Sequence, residues 1–177
     1  MIINDIKEKG LRWEENESLT FIYLGSDFYR KGGRETVQVL SELHKMYSFR
    51  LILISSLSVD EHRYMRSEHD EENARRLLNE HENWIDYYDR LPNSMVLEKM
   101  KQAHVCLLPT WMDTFAYSVL EAQACGTPVI STSLRALSEI NNEDVGWLID
   151  VPVNSLNNPI HSTKEQQDIF SEKLVGG

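Results

Sequence analysis

The sequence predicts a doubly wound α/β fold built on a parallel sheet, and three observations carry that expectation. Short apolar runs of strand length alternate with helical patterns through most of the chain. Two of the strand-like runs open into polar loops, one holding glycines beside adjacent cations and the other holding an acid. No apolar run is long enough to span a bilayer, and the two cysteines lack the count and spacing of a disulfide framework or metal set.

Strands are expected near residues 19–25, 49–55, 84–88, 105–109, 129–132 and 147–149. Before them, residues 1–18, with Glu14, Glu15 and Glu17, read as a charged interdomain linker. The main domain is then 19–153. Beyond it, 154–177 is a tail, partly helical or disordered, that contains Asn157, Asn158 and Pro159. Ligands of doubly wound sheets bind beyond the carboxyl ends of the strands, so the loops that leave those ends become the places to look for chemistry.

The first strand, through Phe21 and Leu24, runs into Gly25-Ser26-Asp27-Phe28-Tyr29-Arg30-Lys31-Gly32-Gly33 before Val37, Leu40 and Leu43 take up helical spacing. Glycines allow tight turning and close backbone approach. Adjacent Arg30 and Lys31 put two cations at the loop, which suits a diphosphate. Taken alone, the same residues also fit a plain turn with solvated charges. Residues 60–82 carry both signs of charge around Arg75, Arg76, Leu77 and Leu78 and read as a solvated amphipathic helix with no chemistry. Cys106, inside an apolar strand pattern, and Cys125, at a helix end, read as small core residues. The six histidines lack HExxH-type spacing, so no metal is expected among them.

The stretch from Pro109 to Thr132 is the densest in information, because an acid, Asp113, precedes Glu121 by seven intervening residues and Glu121 lies inside an apolar helix. A carboxylate placed where core packing is expected is costly unless something compensates it. With a helix start near Thr114 or Phe115, Ser118, Glu121 and Cys125 share one stripe while Phe115, Val119 and Ala122 share another. One stripe then packs and the other faces a ligand. Gly126 and Pro128 stop the helix before the strand at Val129 and Ile130, so its first turn presents unpaired amides toward the strand-end crevice, an anion site in outline. A core helix whose Glu121 snorkels to solvent or pairs with an arginine fits this stretch equally well.

Taken together, the two segments resemble the donor-binding half of glycosyltransferase family 4, whose GT-B fold sets two Rossmann-like domains face to face. The resemblance spans roughly residues 19–151. It implies that Arg30 and Lys31 serve the donor diphosphate, with Gly25, Ser26 and Gly32 in the binding turn. The family's paired glutamates map onto Asp113, which would steer the donor sugar, and Glu121, which would hydrogen-bond the ribose. Lys31, Asp113 and Glu121 are thus the implied catalytic set. Asp113 departs from the family by one methylene, and Ala116 stands where the family has glycine, so its methyl is expected to crowd the sugar or phosphate. Ala116, Tyr117, Ser118 and Val119 would meet the donor at the helix start. Arg90 and Leu91 would lie nearest the base, whereas Tyr87 and Tyr88 read as sheet packing and an edge hydroxyl rather than a stacking platform. The run from Arg135 to Ile140 and the later Gly146-Trp147-Leu148-Ile149 add support to the resemblance without chemistry.

What the resemblance implies for function is transfer of a sugar from a UDP-sugar or GDP-sugar to a hydroxyl of a saccharide or lipid-linked acceptor. Retention at the anomeric carbon, no metal and no cofactor other than the donor are expected, within polysaccharide or glycoconjugate biosynthesis. The family's acceptor-binding domain lies N-terminal to its donor half, so a chain of 177 residues is expected to bind donor without transferring it. A reducing, cytoplasmic location fits the cysteines, with the full enzyme allowed at the inner face of a membrane. A net charge of −10 argues against nucleic acid as partner. Other readings of the same fold are a dinucleotide-dependent oxidoreductase, disfavoured because Gly25 to Arg30 lacks Gly-x-Gly-x-x-Gly, and a non-catalytic binding or assembly module.

Overall fold

A computed structural model of the chain describes residues 18–57, 69–113, 115–155 and 159–160. Nearly all of the expected linker, the first part of the charged 60–82 segment and most of the expected tail lie outside those residues.

The chain order is β1 (Leu19–Leu24), α1 (Gly33–His44), β2 (Phe49–Ile54), α2 (Asp70–Asn79), β3 (Ile85–Tyr88) and α3 (Asn93–Gln102). It continues with β4 (Val105–Leu108), α4 (Tyr117–Ala124), β5 (Val129–Thr132), α5 (Leu137–Ile140) and β6 (Gly146–Ile149). All six strands form one parallel sheet in the order β3-β2-β1-β4-β5-β6, the doubly wound Rossmann-like arrangement that the alternation of patterns predicts. Every expected strand is present, with ends shifted by one residue at most.

Parity along each strand explains why the apolar runs are continuous: both faces of the sheet are covered. Phe21 and Tyr23, Leu51 and Leu53, and Val105 and Leu107 turn to one face, where Val37 and Leu40 of α1 and Ala74 and Leu78 of α2 pack on them. Ile22, Ile52, Ile54, Cys106 and Leu108 turn to the other face, against Met100 of α3, Val119 and Ala122 of α4 and Leu137 of α5. On α2, Ala74 and Leu78 lie one turn apart and are buried, while the arginines between them point to solvent, as an amphipathic helix on a sheet requires.

The strand order places the topological switch between β1 and β4, which pair Phe21 with Val105 and Tyr23 with Leu107. The loops that leave these two strands therefore emerge side by side. Gly32 caps α1 with φ 77° and sits so close to the Pro109 carbonyl that a Cβ there would overlap it. Trp111 donates its amide to the Arg30 carbonyl at 2.9 Å, and Thr132 donates its hydroxyl to the Thr110 carbonyl at 2.9 Å. The two loops form one stitched unit on the carboxyl edge of the sheet.

The last described residues run antiparallel across one another, with a bridge between Val153 and Pro159 and an amide bond from Ile160 to the Pro152 carbonyl at 2.9 Å. Among the described residues no helix is long and apolar enough to cross a membrane.

Two outcomes follow from this packing. Gly32→Ala is expected to cost about 2–4 kcal/mol in urea denaturation, because alanine is strained at positive φ and its methyl meets backbone rather than a movable side chain. Burial pushes the Cys106 thiol up from 9.0 to about 12. Between those values the unfolded chain has released a proton that the folded chain keeps, so this group's contribution to stability falls as pH rises. At pH 8, titration with a disulfide reagent is expected to leave Cys106 unreacted until the chain unfolds.

Candidate functional site

The stitched loops form one wall of a cleft of about 390 Å³ at the carboxyl ends of β1 to β4. Leu24, Gly25, Ser26 and Lys31 line it from the first loop, and Asp113, Ala116, Tyr117 and Ser118 from the second. The ends of β2 and β3 complete it with Ser55, Ser56, Asp89, Arg90 and Leu91. Four strands thus contribute, as expected for a ligand crevice at a switch point.

Lys31 and Asp113 meet inside this cleft: the Lys31 ammonium donates to Asp113 Oδ2, and both side chains are largely shielded, at 12% and 13% exposure. Their partnership spans 82 positions of sequence. Gly25 makes room for it, because a Cβ there would lie 2.6 Å from Lys31 Cβ and 2.5 Å from the Tyr23 hydroxyl. Tyr23 is fully buried and donates to the Phe28 carbonyl at 3.3 Å, and burial followed by the charges of Glu35 and Asp27 holds its phenol well above its ordinary pKa.

Asp113 has a second task, since its Oδ1 accepts the Ala116 amide at 3.1 Å. That bond holds the turn into α4, which begins at Tyr117 rather than at Thr114 or Phe115. The later start has a backbone cause: Ala116 adopts φ 57° and ψ 57°, a left-handed conformation that ends the loop and orients the first helical turn. An L-residue there costs about 1–2 kcal/mol, and burial of the Ala116 methyl at 4% exposure offsets part of it. The methyl that was expected to crowd the cleft both lines its wall and packs into the apolar cluster beneath α4.

On α4 the expected packing stripe is half correct. Val119 and Ala122 are buried, whereas Phe115 precedes the helix, is 41% exposed and tilts against the Tyr117 ring at 5.1 Å. Ser118, Glu121 and Cys125 share the other stripe, all partly exposed. Glu121 is therefore not a buried charge: it is half-exposed and accepts the Asn93 amide at 3.2 Å. It does not line the cleft, but Ser118, one turn earlier on the same stripe, does.

Other expected residues are placed as follows. Arg30 turns away from the cleft onto Asp27, whose carboxylate takes both its backbone amide at 3.2 Å and its Nε at 3.3 Å. Gly32 and Val119 shape the loop and the core without lining the cleft. Arg90 and Leu91 line it, and Tyr87 and Tyr88 behave as sheet residues. Tyr87 packs on the core and donates to the Ser55 carbonyl at 3.2 Å, and Tyr88 carries the Lys99 ammonium 5.6 Å from its ring centre.

Sequence reasoning passed over Ser55, Ser56, Asp89, Asn93 and Asp27. Ser55 and Ser56 stand at the end of β2, which the carboxyl-edge rule marks as it marks β1 and β4, and Asp89 directly precedes the expected Arg90 and Leu91. Asp27 carried a local signal, an acid three residues before Arg30 in a turn. Asn93 carried none, because its partner lies 28 positions away. Among the described residues no three His, Cys, Asp or Glu side chains gather as a metal-binding group.

A family model described as "Glycosyl transferases group 1" matches residues 5–174. The O-antigen biosynthesis glycosyltransferase WclY of Escherichia coli is 26% identical over 154 residues, covering 82% of this chain and 40% of that protein. WaaG, a glycosyltransferase involved in lipopolysaccharide biosynthesis, superposes with a TM-score of 0.57 at 18% identity, over 98% of this chain and 45% of its own. The C-terminal domain of the group 1 glycosyl transferase LpcC from Francisella tularensis superposes with a TM-score of 0.59 at 14% identity, over 98% of this chain and 86% of that domain. These superpositions show a shared fold, the Rossmann-like half of GT-B glycosyltransferases. The chain spans about two fifths of the length of WclY, a curated relative that it matches. With the family model covering nearly its whole length, the chain belongs to the glycosyl transferases group 1 family.

Proposed function

We propose that this chain is the C-terminal, donor-binding domain of a family 4 glycosyltransferase that moves a hexose from a UDP-sugar or GDP-sugar onto a saccharide or lipid-linked acceptor, with retention. The observation that carries the reading is the meeting of Lys31 and Asp113 in a cleft built from four strand ends. A diphosphate needs a fixed cation and donor-rich backbone, and a sugar needs a carboxylate that accepts from its hydroxyls. Lys31 supplies the first, helped by the amides that open α4 at Tyr117 and Ser118. Asp113 supplies the second, from a position next to the lysine. Glu121, one turn beyond Ser118 and just outside the cleft lining, reaches the ribose only where the ligand extends past Ser118, and Arg90 and Leu91 border the base.

Arg30 is held by Asp27, which neutralises its charge at a distance, so in this reading it reaches the diphosphate only if it leaves that partner. An N-terminal acceptor-binding domain completes the enzyme and contributes whatever touches the acceptor hydroxyl. The likeness to WclY and WaaG supports a place in polysaccharide or glycoconjugate assembly.

Calorimetric titration with UDP, GDP, UDP-glucose and GDP-mannose tests the reading. The unaltered chain is expected to bind one base series, and Lys31→Ala to weaken that binding by at least about tenfold while the chain stays folded by circular dichroism. Glu121→Ala is expected to weaken it by about three- to tenfold, as loss of a charge-assisted bond to a half-exposed group would. Absence of binding by the unaltered chain points instead to a non-catalytic assembly module.

A further inference from the structure

The charges that line the cleft come in both signs: Lys31 and Arg90 against Asp89 and Asp113. One pair is in direct contact, with Asp113 Oδ2 on the Lys31 ammonium. A site meant only to hold anions would leave its lysine facing cations or neutral donors. Here any group that approaches Lys31 also approaches a shielded carboxylate, which is held in place by the Ala116 amide and cannot swing clear without breaking the turn into α4.

We infer that Asp113, seated against Lys31, shifts the cleft's preference toward a nucleotide diphosphate that still carries its sugar and away from the bare nucleotide diphosphate left after transfer, relative to a cleft with Lys31 alone. The inference rests on the nucleotide-sugar reading of the same cleft. In transfer, the bond between the anomeric carbon and the terminal phosphate oxygen breaks, and its electron pair stays on that oxygen. The anomeric carbon bonds to the acceptor oxygen, whose proton passes to the departing phosphate oxygen or a neighbouring base and, at pH 8, on to bulk water. The bound diphosphate therefore gains one negative charge at its terminal phosphate, fully ionised at pH 8. In the donor that oxygen is an uncharged link to a sugar, whose hydroxyls donate to Asp113. In the product it is a charge facing Asp113 across Lys31. Both diphosphates are anionic, so the lysine attracts and the carboxylate repels each; the product's added charge strengthens both effects, and Asp113 offsets part of the gain that Lys31 alone would give the bare nucleotide.

The size of the effect follows from Coulomb's law. One added unit charge roughly 7–8 Å from a carboxylate, at an effective dielectric between those of a protein surface and water, changes affinity by about tenfold. Asp113 thus acts as a selectivity residue that speeds departure of the spent nucleotide, in addition to any contact with the sugar.

The test compares affinities of the bare and sugar-bearing nucleotides at pH 8, using UDP with UDP-glucose and GDP with GDP-mannose, on the unaltered chain and on Asp113→Asn. Asparagine keeps an oxygen for the Ala116 amide and removes the charge. The ratio of bare-nucleotide to sugar-nucleotide affinity is expected to rise about tenfold in Asp113→Asn. It is expected to stay within twofold of the unaltered ratio in Asp113→Glu, which keeps the charge. If Asp113→Asn does not fold, Asp113→Ser, which also retains an acceptor for the amide, carries the same expectation. An unchanged ratio in the neutral variant, with both ligands still bound, overturns this inference and leaves the nucleotide-sugar reading standing. Failure of the unaltered chain to bind any of the four overturns both.

Discussion

Parallel pairing of β1 with β4 is the constraint on which the site depends, because it sets the loop of residues 25–33 beside the loop of residues 109–113 at the carboxyl edge of the sheet. The loops then have little choice of conformation. Gly32 packs against the Pro109 carbonyl, the Trp111 amide reaches the Arg30 carbonyl, and Thr132 anchors the second loop from β5. Lys31 and Asp113 are carried into contact by backbone geometry set several residues away. Neither side chain has to search for the other, so little conformational entropy is lost in holding the pair.

Asp113 shows how one carboxylate can link scaffold and chemistry. One oxygen fixes the turn into α4 and the other faces Lys31. A shorter acid than the family's usual glutamate fits that double duty: from position 113 an aspartate reaches the Ala116 amide three residues ahead, in the manner of an Asx turn. The left-handed backbone at Ala116 belongs to the same device, since it sets the helix start beside the cleft while Ala116 itself packs between cleft wall and core. Positive φ at a non-glycine residue is a local cost that persists because surrounding contacts over-determine it.

Much of the fold was legible in the sequence because buried parallel strands are continuous apolar runs of limited length, and those between Phe21 and Ile149 are well separated by helical spacing and turn residues. The location of Lys31 and Asp113 was legible for a related reason: both stand just past strand ends, where doubly wound sheets bind ligands. The start of α4 was not, because alanine has no preference for a left-handed conformation and tertiary contacts imposed it at Ala116. The position of Arg30 was not legible from its adjacency to Lys31, which says nothing about direction; Asp27, three residues earlier, holds its side chain. The environment of Glu121 was left open by composition, because α4 is apolar overall, and only the packing of Val119 and Ala122 against the sheet shows that Glu121 lies on the partly exposed side.

The contact between Gly32 and the Pro109 carbonyl also bears on how such domains can be recombined. Each of these two loops is the other's mould: neither has a shape of its own that would survive transplantation into a relative whose opposing loop bulges differently. A hybrid assembled with its crossover anywhere between Gly33 and Leu108 would inherit the two halves of the mould from different parents. Crossovers placed before Gly25 or after Thr132 would keep them together, so the shape of the cleft should be inherited over that interval as a block.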